Sequence, residues 1–185
     1  MWTRRAGLAT EGAVFDLDLA YRMNKHFGVF GLVRGTGNAT NAKVVSRDYE
    51  ALGLDVKVEP GTWVTVGLYA GGIGFFPMNE RWSFTARAAV GYASVTSPVL
   101  KLGTRDGAIL FKRESAVVGA PAYLFGVGIK GDVGARLSVL VNLDMMGAEA
   151  NFDEVKTDGM AGLVRVSFDQ SIALVSFAAG VGYRF

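Results

Sequence analysis

The sequence predicts an all-β protein: an eight-stranded antiparallel transmembrane β-barrel of the up-and-down kind, connected as a meander. Three observations predict it. Apolar residues alternate with polar or small ones at a period of two along most of the chain, the signature of strands with two different environments. Tight turns near 24–26, 77–80 and 131–134 alternate with long polar links near 36–60, 96–114 and 151–171. Short turns at one end and long loops at the other are the pattern of bacterial outer-membrane barrels. Finally, single strands carry aromatics at their ends and small apolar residues between them, as two interfacial girdles flanking a lipid band require.

Composition points the same way. Of 185 residues, 50% are hydrophobic and 19% charged, and mean hydropathy is +0.28. A water-soluble domain usually carries about 25% charge. The length suits one domain, so 1–185 is read as a single barrel. A net charge of +2 without a basic run excludes nucleic acid as a partner. The absence of cysteine excludes thiol catalysis, cysteine-ligated metals and disulfides, and suits passage through an oxidising periplasm. Met1-Trp2-Thr3-Arg4-Arg5 is basic but no apolar core follows it, so an export signal is expected to have been removed. The uncharged segment 60–79 has the length of a membrane helix. However, it contains Gly61, Gly67, Gly71, Gly72 and Gly74, each costing a helix ~1 kcal/mol relative to alanine. It also alternates, so it is read as a strand.

In chain order, Trp2–Ala9 is expected as a short first strand and Thr10-Glu11-Gly12 as a turn. Between Ala13 and Met23, Phe15, Leu17, Leu19 and Tyr21 share one face and Asp16, Asp18, Ala20 and Arg22 the other. Phe27–Gly35 follows, with a facing that the pattern leaves open because both of its sets are apolar. Gly61–Phe76 and Trp82–Val95 form a hairpin. In its second strand Trp82, Phe84, Ala86, Ala88, Val90 and Tyr92 oppose Ser83, Thr85, Arg87, Ala89 and Gly91. Ser115–Lys130 and Arg136–Ala150 form the next hairpin. In the latter strand Leu137, Val139, Val141, Leu143 and Met145 oppose Arg136, Ser138, Leu140, Asn142 and Asp144. Gly159–Phe168 alternates weakly. The terminal stretch 172–185 sets Val175, Phe177, Ala179, Val181, Tyr183 and Phe185 against Ser176, Gly180, Gly182 and Arg184.

Backbone groups in lipid must pair internally, so membrane strands must close into a barrel. With both termini on the tight-turn side, the count reaches eight if Trp2–Ala9 is a strand and 151–171 is mostly loop, with Gly159–Phe168 a strand extension beyond the membrane. The other count omits the first strand and takes 160–168 as the eighth. Eight strands leave an interior just wide enough for side chains. The inward polar set is then Asp16, Asp18, Arg22, Arg87, Arg136, Asn142, Asp144 and Arg184. An isolated buried charge is costly, so Asp16, Asp18 and Asp144 are expected to pair with Arg87 and a neighbouring arginine. A soluble lipocalin-like carrier, with its apolar face inward, is the competing closed barrel. The terminal aromatic, the aromatic–small–aromatic strands and the acids in mid-strand favour the membrane.

The segments LAYRMNKHFGVFG, GFFPMNERWSFTARAAVGYAS, GVGIKGDVGARLSVLVNLD and the ending AAGVGYRF resemble the OmpA/OmpX family of small outer-membrane barrels of Gram-negative bacteria. The resemblance covers three hairpins and the last strand and is one of hydropathy and turn spacing. It implies the outer membrane as location. It also implies that the ending, here Tyr183 and Phe185, is the signal read by the barrel-assembly machinery. The long 151–171 link departs from the compact last loop of the smallest members.

No catalytic, metal or cofactor site is expected. The one histidine, His26, lies in a tight turn and reads as a surface residue. Serine–histidine hydrolysis, as in barrel lipid A deacylases, would need it at the other end beside a serine. Asp16 and Asp18 lie two apart on one face and read as members of a salt-bridge network. The loop carboxylates Asp48, Glu50, Asp55, Glu59, Asp153, Glu154 and Asp158 read as solvated. Lys43, Arg47, Lys101, Arg105, Lys112 and Arg113 would lie in or near outer loops, where lipopolysaccharide phosphates lie. The expected function is a structural or surface-interaction barrel without catalysis, with lipid, lipopolysaccharide and a host or surface ligand as partners. A narrow porin-like conduit is the alternative and a lipid A-modifying enzyme the third.

Overall fold

The computed structural model describes residues 9–41, 57–59, 61–103, 109–159 and 162–185. Over these, the alternating segments are strands: β1 (Ala9–Arg22), β2 (Phe27–Thr40), β3 (Lys57–Glu59), β4 (Thr62–Pro77), β5 (Trp82–Thr96), β6 (Leu100–Gly103), β7 (Ile109–Arg113), β8 (Val117–Asp132), β9 (Leu137–Gly159) and β10 (Gly162–Tyr183). All pairings are antiparallel. The long strands pair in sequence order, β1-β2-β4-β5-β8-β9-β10, and curl into a nearly closed barrel. The short strands β7, β6 and β3 continue one another from the far end of β9, beyond the barrel wall.

The period of two becomes two faces. In β5 the residues Thr85, Arg87, Ala89, Ala93 and Val95 are buried, while Trp82, Phe84, Val90 and Tyr92 are exposed. The same division holds in β2, β4, β8 and β9. Large apolar side chains therefore stand exposed around the outside: Phe15, Leu17 and Leu19 on β1, Val66 and Leu68 on β4, Phe125 and Val127 on β8, Leu143 and Met145 on β9, Val175 and Phe177 on β10. A soluble monomer rarely exposes contiguous apolar patches beyond a few hundred Å².

The three short turns are built alike. In each, two successive N–H groups donate to the carbonyl of the first residue of the next strand: Met23 and Asn24 to Phe27, Met78 and Asn79 to Trp82, Val133 and Gly134 to Leu137. Asn24 and Asn79 also accept, through Oδ1, from the N–H groups of the two residues before and at the new strand. The long connections are clamped at their bases. The Thr40 N–H and hydroxyl both donate to the Gly61 carbonyl at 3.0 and 2.8 Å, and Ser97 is bound to Ser115 and Ala116.

Several expectations change. Residues 1–8, carrying nearly all of the expected first strand, lie outside the described residues, as do Lys43, Arg47, Asp48, Glu50, Asp55 and Arg105. The described barrel thus has seven long strands rather than eight. Thr10-Glu11-Gly12, expected as a turn, lies within β1, with a register shift between Ala9 and Gly12. The expected link 151–171 is instead the upper part of the β9–β10 hairpin, paired from Asn151↔Asp169 to Gly159↔Gly162, with 162–168 forming a strand extension as expected. Antiparallel ladders need no apolar side chains, so polar composition did not stop this stretch from pairing.

β1 and β10 are the edges of the curled sheet. Both run from the long-loop end toward the short-turn end. Among the described residues no ladder joins them, and neither carries the alternation of buried residues that the strands between them show.

Candidate functional site

The inward-facing charges converge on one cluster at mid-barrel. Asp16 on β1 lies directly opposite Arg34 on β2, and the curl of the sheet brings Asp144 on β9 and Arg87 on β5 across to meet them. Arg34 donates from Nε to Asp16 Oδ1 at 2.7 Å and from Nη2 to Asp16 Oδ2 at 2.5 Å. Its Nη2 also donates to Asp144 Oδ2 at 2.5 Å, and Nη1 reaches Ser176 Oγ on β10 at 3.3 Å. Arg87 grips the same carboxylate through two nitrogens, Nε to Oδ1 at 2.9 Å and Nη2 to Oδ2 at 2.5 Å. It lies 3.5 Å from Asp18 and 3.8 Å from Asp16, and its guanidinium carbon sits 5.7 Å from the centre of the Phe30 ring. The side chains of Asp144 and Arg34 are 0% and 1% exposed. Bidentate guanidinium–carboxylate pairs of this kind are among the strongest polar contacts available. Asp144 thus ties β2 to β5 across the lumen.

Two glycines make room for this arrangement. A side chain at Gly126, next to Asp144 in the ladder, would run into Asp144 Oδ1 and approach the Arg87 stem. One at Gly128 would meet Asn142 Oδ1 and Thr85 Oγ1. Gly126→Ala is therefore expected to destabilise the folded barrel by about 1–3 kcal/mol, as overpacking does. Urea unfolding of refolded protein measures it, with Gly134→Ala, which meets nothing nearby, as the neutral control.

The lumen is divided along its axis. On the long-loop side of the cluster, β5, β8 and β9 point Ala93, Val95, Ala120, Leu124, Met146 and Phe152 inward, all buried and in mutual contact with Leu32 and Tyr69. The Tyr69 hydroxyl donates to the Met146 sulfur at 2.9 Å. Trp63, Phe152 and Phe168 cap this layer, Phe152 stacked on Phe168 at 4.8 Å and edge-on to Trp63 at 6.2 Å. On the short-turn side the inward residues include Thr85, Gly128, Lys130, Asn142 and Ser138, together with the buried Phe75. The inward residues named from sequence are polar or charged; the lumen also holds a packed apolar plug.

Of the residues singled out from sequence, Asp16, Asp18, Arg87 and Asp144 come together. Arg22 does not join them. At the end of β1 it donates to the carbonyls of Asn24 (3.2 Å) and Lys25 (2.8 Å) and lies 4.5 Å over Phe75. Asn142 lies on the same face of β9 as Asp144, one step toward the short turn, against Gly128. Arg136 and Arg184, expected inward, are exposed at the rim: Arg136 donates to the Tyr183 hydroxyl at 3.2 Å and Arg184 pairs with Asp132 at 3.3 Å. They sit past the ends of their strands, where the ladder no longer aims side chains into the lumen. Tyr183 and Phe185 touch edge to face at 5.2 Å, and Phe185 is fully exposed. The neighbouring arginine expected for the cluster is Arg34. The period of two could not orient it, but it is the one charge in an otherwise uncharged β2.

Among the described residues no group of three or more metal-ligating side chains converges. His26 sits in the first turn with Nδ1 3.4 Å from the Phe75 carbonyl oxygen. No family model, curated protein or solved structure matches the chain. The nearly closed antiparallel barrel is compatible with a small β-barrel.

Proposed function

We propose that the chain is an integral bacterial outer-membrane β-barrel with a side-chain-filled lumen, and that its role is structural or one of surface interaction rather than catalysis. One observation carries this reading: an apolar surface runs around the outside of the long strands while arginines and aspartates lock together inside. That is the reverse of a soluble sheet protein and the arrangement that lipid demands. The long-loop end, with β3, β6, β7 and the tip of the β9–β10 hairpin, would face the exterior, toward lipopolysaccharide and any host or surface ligand. Tyr183 and Phe185 would be read by the assembly machinery.

The edges support an eighth strand. In lipid each unpaired backbone group costs several kcal/mol. β1 and β10 run in the same direction, so a strand running opposite to both would complete two antiparallel ladders. A second copy inserted in the same sense would offer only edges that run the same way as these two.

The charge cluster and the apolar layer above it argue against a solute conduit. Planar-bilayer recording of the refolded protein is expected to give a flat baseline with rare brief openings. A steady large conductance, or swelling of liposomes in small sugars, would overturn the filled lumen.

A further inference from the structure

We infer that the short-turn rim is a binding surface for anionic phospholipid headgroups, with Lys25, Arg81 and Arg136 as the phosphate-holding cations. This rests on the membrane reading above and adds a partner to it.

The three turns supply one such cation each. Asn24, Asn79 and Gly134 are evenly spaced in the sequence, and the same two-donor closure follows at each. The residue just before each new strand is fixed through its carbonyl, which accepts from the neighbouring strand end: His26 from Phe75 at 2.7 Å, Arg81 from Asp132 at 2.8 Å, Arg136 from Arg184 at 2.8 Å. In the second and third turns this residue is itself the arginine. In the first it is His26, and the cation is the adjoining Lys25. Each is followed by an outward apolar side chain, Phe27, Trp82 and Leu137, which belongs to the exposed band.

The rim's other charges are already used. Asp132 takes both Lys130 and Arg184, and Arg22 is bound to turn carbonyls. Lys25, Arg81 and Arg136 are exposed and have no ion pair among the described residues. Glu80 is the one further acid in these turns. Three cations without an ion pair among the described residues thus border an apolar wall at three points around the rim. A free anion would use only the cations. A phospholipid uses both features, its phosphate on a guanidinium or ammonium and its chains along the band, with Trp82 at the interface.

The test uses full-length protein with Trp2→Phe and Trp63→Phe, leaving Trp82 as the sole tryptophan. It is refolded into phosphatidylcholine bilayers containing brominated phosphatidylglycerol or brominated phosphatidylcholine, and Trp82 quenching gives the relative association of each lipid. Phosphatidylglycerol is expected to be favoured about fivefold beside a cation. The preference should fall toward unity in K25Q/R81Q/R136Q and in about 0.5 M salt, where screening is strong. Equal quenching by both lipids, or an unchanged preference in the triple variant, overturns the proposal while leaving the barrel intact. Protein that shows no heat-modifiable folded band in either lipid would sink the membrane reading and this proposal together.

Discussion

Asp144→Asn is expected to lower the unfolding free energy of the refolded barrel by about 3–5 kcal/mol, the cost of breaking a buried charge pair from one side. The reason is arithmetic within the cluster. Asp144 takes both Arg34 and Arg87, each through hydrogen bonds of 2.9 Å or less. Neutralising it leaves Arg87, 5% exposed, with only Asp16 at 3.8 Å and Asp18 at 3.5 Å. Asp16→Asn should cost less, because Arg34 keeps Asp144 and the Asp16 side chain is 14% exposed. Asp18→Asn should change stability by no more than about 0.5 kcal/mol, as a surface substitution does, since its side chain is 39% exposed. Urea titration read by gel mobility gives the ranking Asp144, Asp16, Asp18; equal losses at all three would remove Asp144 from its place as hub. The quadruple replacement D16L/R34M/R87M/D144L should recover most of the loss, because exchanging a whole buried ion set for packed apolar side chains is often neutral.

Val127→Arg is expected to cost about 2–4 kcal/mol in phospholipid bilayers. Val127 faces outward from β8, flanked in the ladders by Ala86 and Leu143, and lies between the Tyr123 and Gly131 rows. It has no acid beside it on that face. Lipid cannot solvate a guanidinium there, whereas water can, so the same change on a soluble barrel would stay within about 0.5 kcal/mol. Glu149→Arg, outward from β9 beyond the apolar band, serves as the reference and should be near neutral. Reversible unfolding from vesicles reads both. A Val127→Arg protein as stable as the parent, or a parent that is monodisperse without detergent, would transfer the barrel from membrane to water.

How much of this was legible depended on contrast between the two faces of each strand. β1, β5 and β9 set acids, arginine or asparagine against aromatics and aliphatics, so their inward and outward sets were readable one by one. β2 offers no such contrast: Phe27, Val29 and Val33 point out, and Phe30 and Leu32 point in. Arg34 therefore stayed unassigned although it completes the cluster. The apolar plug escaped for a related reason. Met146 and Ala148 lie past the alternation read for 136–145, and whether an apolar residue points outward or into a packed lumen is not written in its period. The turns were legible because their donors and acceptors lie within five residues of one another, as in Met78–Trp82.

The sequence by itself determined the local items: strand periodicity, the three tight turns, the hairpin order and the shortage of charge. These depend on neighbours close in the chain. Tertiary structure alone decided which charges meet, because Asp16, Arg34, Arg87 and Asp144 are brought together by the curl of the sheet and not by any spacing along it. It also decided that the lumen holds a packed apolar plug, and that among the described residues β1 and β10 are two edges running in the same direction.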